Sequence, residues 1–110
     1  MRELVRGPDR ILPIVDKPGS KFYVLVYKSS FCLSHRSYYP VGKRKDGQYC
    51  LYGTNGKIDL SGPIDVDSRS NFHVDRTIQE VLQQVSSYLG NGSYHLYEFK
   101  SLKEFLESEV

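Results

Sequence analysis

The segment Lys21-Phe-Tyr-Val-Leu-Val-Tyr-Lys28 constrains the fold more than any other stretch of the chain. Successive side chains of a strand point to opposite sides, so Phe22, Val24 and Val26 share one face and Tyr23, Leu25 and Tyr27 the other. Both faces are apolar. Such a strand sits centrally in a sheet, or carries helices on one face and another layer on the other. Ser29-Ser30 turns the chain, and residues 31–39 read as its antiparallel return. Pro40 to Gly47 reads as a basic loop whose Asp46-Gly47 is a strong hairpin signal. Residues 48–52 and 57–60, separated by Thr54-Asn55-Gly56, supply two further strands of a meander.

What precedes and follows this meander is less regular. Residues 1–10 are charged and broken by Gly7-Pro8, which predicts a flexible arm. The run Ile11-Leu-Pro-Ile-Val15 contains Pro13, which lacks a ladder donor, so it reads as an edge strand or an extended segment over the core. Lys17-Pro18-Gly19-Ser20 is a turn. Ser61 to Asn71 is polar and Asp-rich, a loop with room for one more edge strand at Ile64-Asp-Val66.

The pattern then changes period. Ile78, Val81, Leu82, Val85, Tyr88 and Leu89 form one stripe of a 3.6-residue repeat. Thr77 with Glu80 makes a capping box, Asp75 is an alternative cap, and Gly90 supplies a left-handed stop. Residues 93–99 read as a strand, and Ser101 with Glu104 opens a short helix that turns Leu102, Phe105 and Leu106 inward. Strands gathered ahead of helices predict an α+β fold. The expected architecture is an antiparallel β-meander of four to five strands followed by helix, strand and helix, both helices packed on one sheet face. At 110 residues, 39% apolar and 25% charged, the chain fits one domain spanning 1–110.

Charge and cysteine usage narrow the setting. No apolar run long enough for a secretory signal follows the charged N-terminus, and none could span a bilayer, which predicts a cytoplasmic protein with no membrane partner. Cys32 and Cys50 then read as reduced, buried thiols. The sequon at Asn91 reads as a turn. Residues 1–47 carry a net charge of +6 and residues 48–110 one of −4. The asymmetry predicts a dipolar surface if the fold separates the halves, and none if the strands interleave.

The most suggestive surface is the hairpin. Arg36, Lys43, Arg44 and Lys45 are mixed with Tyr38, Tyr39, Tyr49 and Tyr52. Cations neutralise phosphates and aromatic faces stack on unpaired bases; tyrosines also anchor protein interfaces. The same cations can simply keep a strand edge soluble. Histidines 35 and 73 are candidates for the acid and base of a metal-independent ribonuclease, with Arg36 or Lys43 on the developing charge. His95, between Tyr94 and Leu96, reads as a packed side chain.

Asp65 to Asp75 superficially matches a calcium loop, but Arg69, Ser70 and Arg76 stand where oxygen ligands and a glycine are needed. The Cys and His spacings match no zinc site, and no phosphate loop, dinucleotide fingerprint or nucleophile elbow occurs. No cofactor or metal is therefore expected. The resulting expectation is a small binding module acting by protein–protein contact. It has the size and composition of regulators and inhibitors that phage and mobile elements encode. Single-stranded nucleic-acid binding and metal-independent ribonuclease activity are the alternatives.

Overall fold

The computed structural model describes residues 1–6, 21–28, 36–86 and 93–110. Six strands, β1 (Arg2–Arg6), β2 (Phe22–Lys28), β3 (Arg36–Lys43), β4 (Tyr49–Tyr52), β5 (Asn71–Asp75) and β6 (Ser93–Phe99), join two helices, α1 (Ile78–Ser86) and α2 (Leu102–Glu107). They form one sheet of order β1-β6-β2-β3-β4-β5, antiparallel at every pairing. The α+β class expected from the sequence is the class observed, with one strand more than the upper expectation. β2 takes the interior place its two apolar faces require, with Val24 opposite Pro40 on one side and Tyr97 on the other.

The two faces of β2 divide the core. Tyr23 and Leu25 point to a cluster with Val41, Leu51 and Leu96, which α1 covers with Ile78, Val81, Leu82 and Val85. Burying each of these four helix side chains contributes on the order of 2 kcal/mol. Val24 and Val26 point the opposite way, into a cluster with Tyr52, Leu60, Phe99 and Phe105 of α2. The helices thus lie on opposite faces of the sheet, not on one as expected. The reason is the apolar alternation of β2 itself: a single helical layer would leave Val24, Val26 and Phe99 in water.

Other segments depart from expectation for local reasons. Arg2–Arg6 is an edge strand, not a free arm: it pairs with β6, bulges between Glu3 and Val5, and packs Leu4 on the α1-side core. β3 runs on through Pro40 to Lys43. Proline is tolerated there because the ladder changes hands: residues 36–40 pair with β2, and 41–43 with β4. Lys57–Leu60 is a 3-10 helix that buries Leu60 and leaves Ile58 exposed, closed by the Ser61 amide and hydroxyl donating to the Ile58 carbonyl. Val66–Ser68 is a second 3-10 helix, where an edge strand was an option, and its cap Asp65 accepts from the Asp67 amide. The added strand is Asn71–Asp75, which lay in the expected loop. The extended run at 11–15, the turn at 17–20, residues 31–35 with Cys32 and His35, and the Gly90 stop lie outside the described residues.

Candidate functional site

Alternation along β3 separates the residues expected to form one binding surface. Tyr38 faces α2 and Tyr39 faces α1. The Tyr38 ring meets Phe105 edge-on at 5.7 Å, and its hydroxyl donates to the Val110 carbonyl at 3.0 Å. Arg36, exposed at the strand start, donates to the Glu109 carbonyl. Tyr49 packs on the α1-side core, with the Lys43 ammonium 5.8 Å from its ring centre. Tyr52 is buried on the α2 side under the Arg69 guanidinium, and burial pushes its phenol up to about 12. Four tyrosines that looked like one sheet surface are therefore distributed over two cores.

The basic hairpin is real, and one of its cations, Arg44, is paired within it. The tip closes with the Gly47 amide donating to the Arg44 carbonyl at 3.0 Å, Gly47 sitting at φ +87°, where only glycine is unstrained. Arg44 lies 3.3 Å from the Asp46 carboxylate and donates to Asn71 Oδ1 at 3.0 Å. The Lys45 amide donates to Asp67, which Asp65 in turn holds. Lys43, Arg44 and Lys45 thus share their corner with Asp46, Asp65 and Asp67. The amide of Asn71 donates to the carbonyls of Val66 and Arg69, tying this corner to β5. These contacts use the carboxylates of the calcium-loop look-alike to hold loops together.

A different site emerges where side chains of β3 and β5, the strands on either side of β4, meet. Phe72 is 45% exposed and stands edge-on to Tyr39 at 6.4 Å. On one side of this pair opens an apolar cleft of about 390 Å³, walled by Leu25, Tyr27, Leu51, His73, Val85 and Tyr94. On the other lies a polar cleft of about 430 Å³ with Ser37, Thr54, Asn55, Ser70 and the Asp59–Arg69 pair. That pair is 2.6 Å apart, and the Arg69 hydrogen bond holds the Asp59 carboxyl below its usual range. Tyr39 and Phe72 line both clefts and form the ridge between them.

A bulge sets this geometry. Tyr49 pairs with Asp75 and Leu51 with Phe72, so β5 spends one more residue than β4 over that interval. His73, at φ +53°, occupies the left-handed position that such a bulge uses. Phe72 and His73 were missed as a ridge and a wall because Asn-Phe-His-Val-Asp has no strand-like apolar run. One signal was available: Phe72 is the sole aromatic between residues 53 and 87, and it sits among polar neighbours.

A second constellation has the order of a nucleophile, a base and an orienting acid. Ser93 Oγ is 3.4 Å from His95 Nε2, and His95 Nδ1 is 2.9 Å from Glu3 Oε1. Ser93 and His95 line neither cleft, however, and the imidazole is buried and stacked on Tyr97 at 5.9 Å. The bond from His95 to Glu3 fastens β1 to β6. His73 lies on the opposite, α1 side of the sheet, and His35 lies outside the described residues, so the acid–base pair of the ribonuclease reading is not assembled among the described residues.

No helix of the described residues is long and apolar enough to cross a membrane. Compared with family models, curated proteins and solved structures, the chain matches none.

Proposed function

We propose that this chain is a contact module that binds a protein partner across the Tyr39–Phe72 ridge. The partner seats an apolar side chain in the α1-side cleft and hydrogen-bonds the polar cleft beyond. The observation that carries this reading is the exposure of Phe72 between an aromatic-walled cavity and a polar, charge-paired one. Protein interfaces combine an apolar, aromatic centre with a polar rim, and a few aromatic anchors supply most of their affinity. A nucleic-acid partner is less well served. Of the hairpin cations Arg44 is paired with Asp46, and Tyr38, Tyr49 and Tyr52, whose faces would stack on bases, are turned into the two cores.

The test is capture from cell lysate with the wild-type chain and with Phe72→Ser, each with and without nuclease. Phe72 is half exposed, so the substitution leaves the core intact. A stoichiometric protein retained after nuclease and lost with Phe72→Ser is the expected result. Retention that disappears with nuclease, or that ignores Phe72→Ser, overturns the reading.

A further inference from the structure

The opposite, α2 face carries an independent feature. Residues 108–110 follow α2, and their three main-chain oxygens are each held by a side chain. Lys57 Nζ donates to the Ser108 carbonyl and, at 3.0 Å, to its hydroxyl. Arg36 Nη1 donates to the Glu109 carbonyl at 3.4 Å, and the Tyr38 hydroxyl to the Val110 carbonyl at 3.0 Å. Val110 packs against the α2-side core, while Glu109 is exposed. The clamp therefore reads main chain and one apolar side chain.

Its electrostatics are incomplete. Among the described residues, neither Arg36 nor Lys57 has a carboxylate partner; both spend their charge on neutral carbonyl oxygens. Partial burial, reinforced by the neighbouring Arg36, holds the Lys57 ammonium below the usual lysine range. The Lys57 ammonium also sits 4.9 Å over the Phe105 ring. Two cations beside an aromatic floor form a site better matched to a carboxylate than to an amide, since charge-assisted hydrogen bonds are about twice as strong as neutral ones.

We propose that Arg36 and Lys57 form a docking groove for an extended acidic segment of a partner, and that residues 108–110, pinned by Tyr38, are a displaceable strap occupying it in cis. The acidic segment places a carboxylate between Arg36 and Lys57 and releases the strap. This groove lies on the sheet face opposite Phe72 and does not depend on the α1-side reading.

The experiment is fluorescence anisotropy with a labelled hexaglutamate peptide, titrated with the full chain at low salt. The expected result is saturable binding, weakened about tenfold or more by Arg36→Gln or Lys57→Met, the loss of a charge-assisted hydrogen bond. Lys43→Gln and Lys45→Gln together, and Phe72→Ser, leave it unchanged. Tyr38→Phe removes the Val110 hydrogen bond without touching either cation, so it strengthens binding by roughly fivefold, the equivalent of one neutral hydrogen bond. Each variant is first shown to unfold cooperatively, and Arg36, being exposed, provides a variant that spares the core. Absence of binding, equal binding by all variants, loss with the hairpin lysine variants, or weaker binding by Tyr38→Phe overturns the proposal.

Discussion

At the residue scale, two backbone positions carry consequences out of proportion to their size. A Cβ on Gly42 would stand 2.8 Å from both the Tyr52 ring and the Val66 side chain, so the bare backbone of β3 lets the buried tyrosine lie flat against it. Gly42→Ala is expected to lower stability by about 2 kcal/mol through overpacking, seen as an earlier urea midpoint at unchanged slope. His73 holds a left-handed conformation, which histidine tolerates better than β-branched residues do. His73→Val and His73→Gly both remove the imidazole, so their difference reads the cost of a β-branched side chain at a left-handed position, less the unfolded-state entropy that glycine adds. The valine variant is expected to unfold about 1–2 kcal/mol more easily than the glycine one; equal stability would show that the bulge relaxes. Neither position was marked in the sequence. Gly42 sat in an expected loop, where a glycine needs no explanation, and the strain at His73 exists only because β4 pairs with β5.

Elements were legible where local chemistry decides them. Both N-cap hydrogen bonds are in place: the Glu80 amide donates to Thr77 Oγ1 at 3.1 Å, and the Glu104 amide to Ser101 Oγ at 3.2 Å. Glu80 accepts from the Thr77 hydroxyl and Glu104 from the Lys100 amide. The apolar stripe of α1 from Ile78 to Val85 and the Asp46-Gly47 turn are where their residues indicate, because caps, period and turn geometry act within a few residues. Tyr88 and Leu89 lie outside the described residues. Thr77→Ala is expected to cost about 1 kcal/mol, measured by thermal or urea unfolding; a smaller loss would mean that the Gln84 bond to Asp75, 2.6 Å long, fixes the helix start on its own. β5 and the 3-10 helix at Lys57 were not legible. Asn71-Phe-His-Val-Asp75 becomes a strand through its partner β4 and the Asn71 bonds to the preceding loop, and Lys57 is drawn to the carbonyl of Ser108, fifty-one residues on. The candidate hairpin residues are split for a related reason: the register of β3 decides which face each one takes.

The whole molecule interleaves its two halves, since β6 from the acidic half inserts between β1 and β2 of the basic half. Opposite charges therefore meet across strands, which disperses the dipole that segregated halves would have produced. Glu98 illustrates the outcome. Partial burial opposes its ionisation, but Lys21 at 2.9 Å and Arg2 at 3.1 Å prevail and hold its carboxyl below the usual range. Asp59, Asp75 and Glu104 are lowered likewise, by the Arg69 hydrogen bond, the Arg76 amide and the chain's amino terminus respectively. A carboxyl with a folded pKa below its unfolded one leaves the unfolded state holding more protons in that interval, so its stabilisation is complete above the ordinary carboxylate range and declines as pH falls through it. Stability is expected to fall below about pH 4. Glu98→Gln, less stable than wild type at neutral pH, is expected to converge with it in acid, and a gap that stays constant with pH would remove Glu98 from this account.

The proposed function rests on the Tyr39–Phe72 ridge, and hydrogen exchange on the captured complex tests it most directly. Binding there is expected to slow exchange along Asn71–Asp75 and at the Gly53–Asn55 segment of the polar cleft, leaving the hairpin tip at 44–48 unchanged. Slowing confined to the hairpin tip, with β5 unaffected, would contradict it.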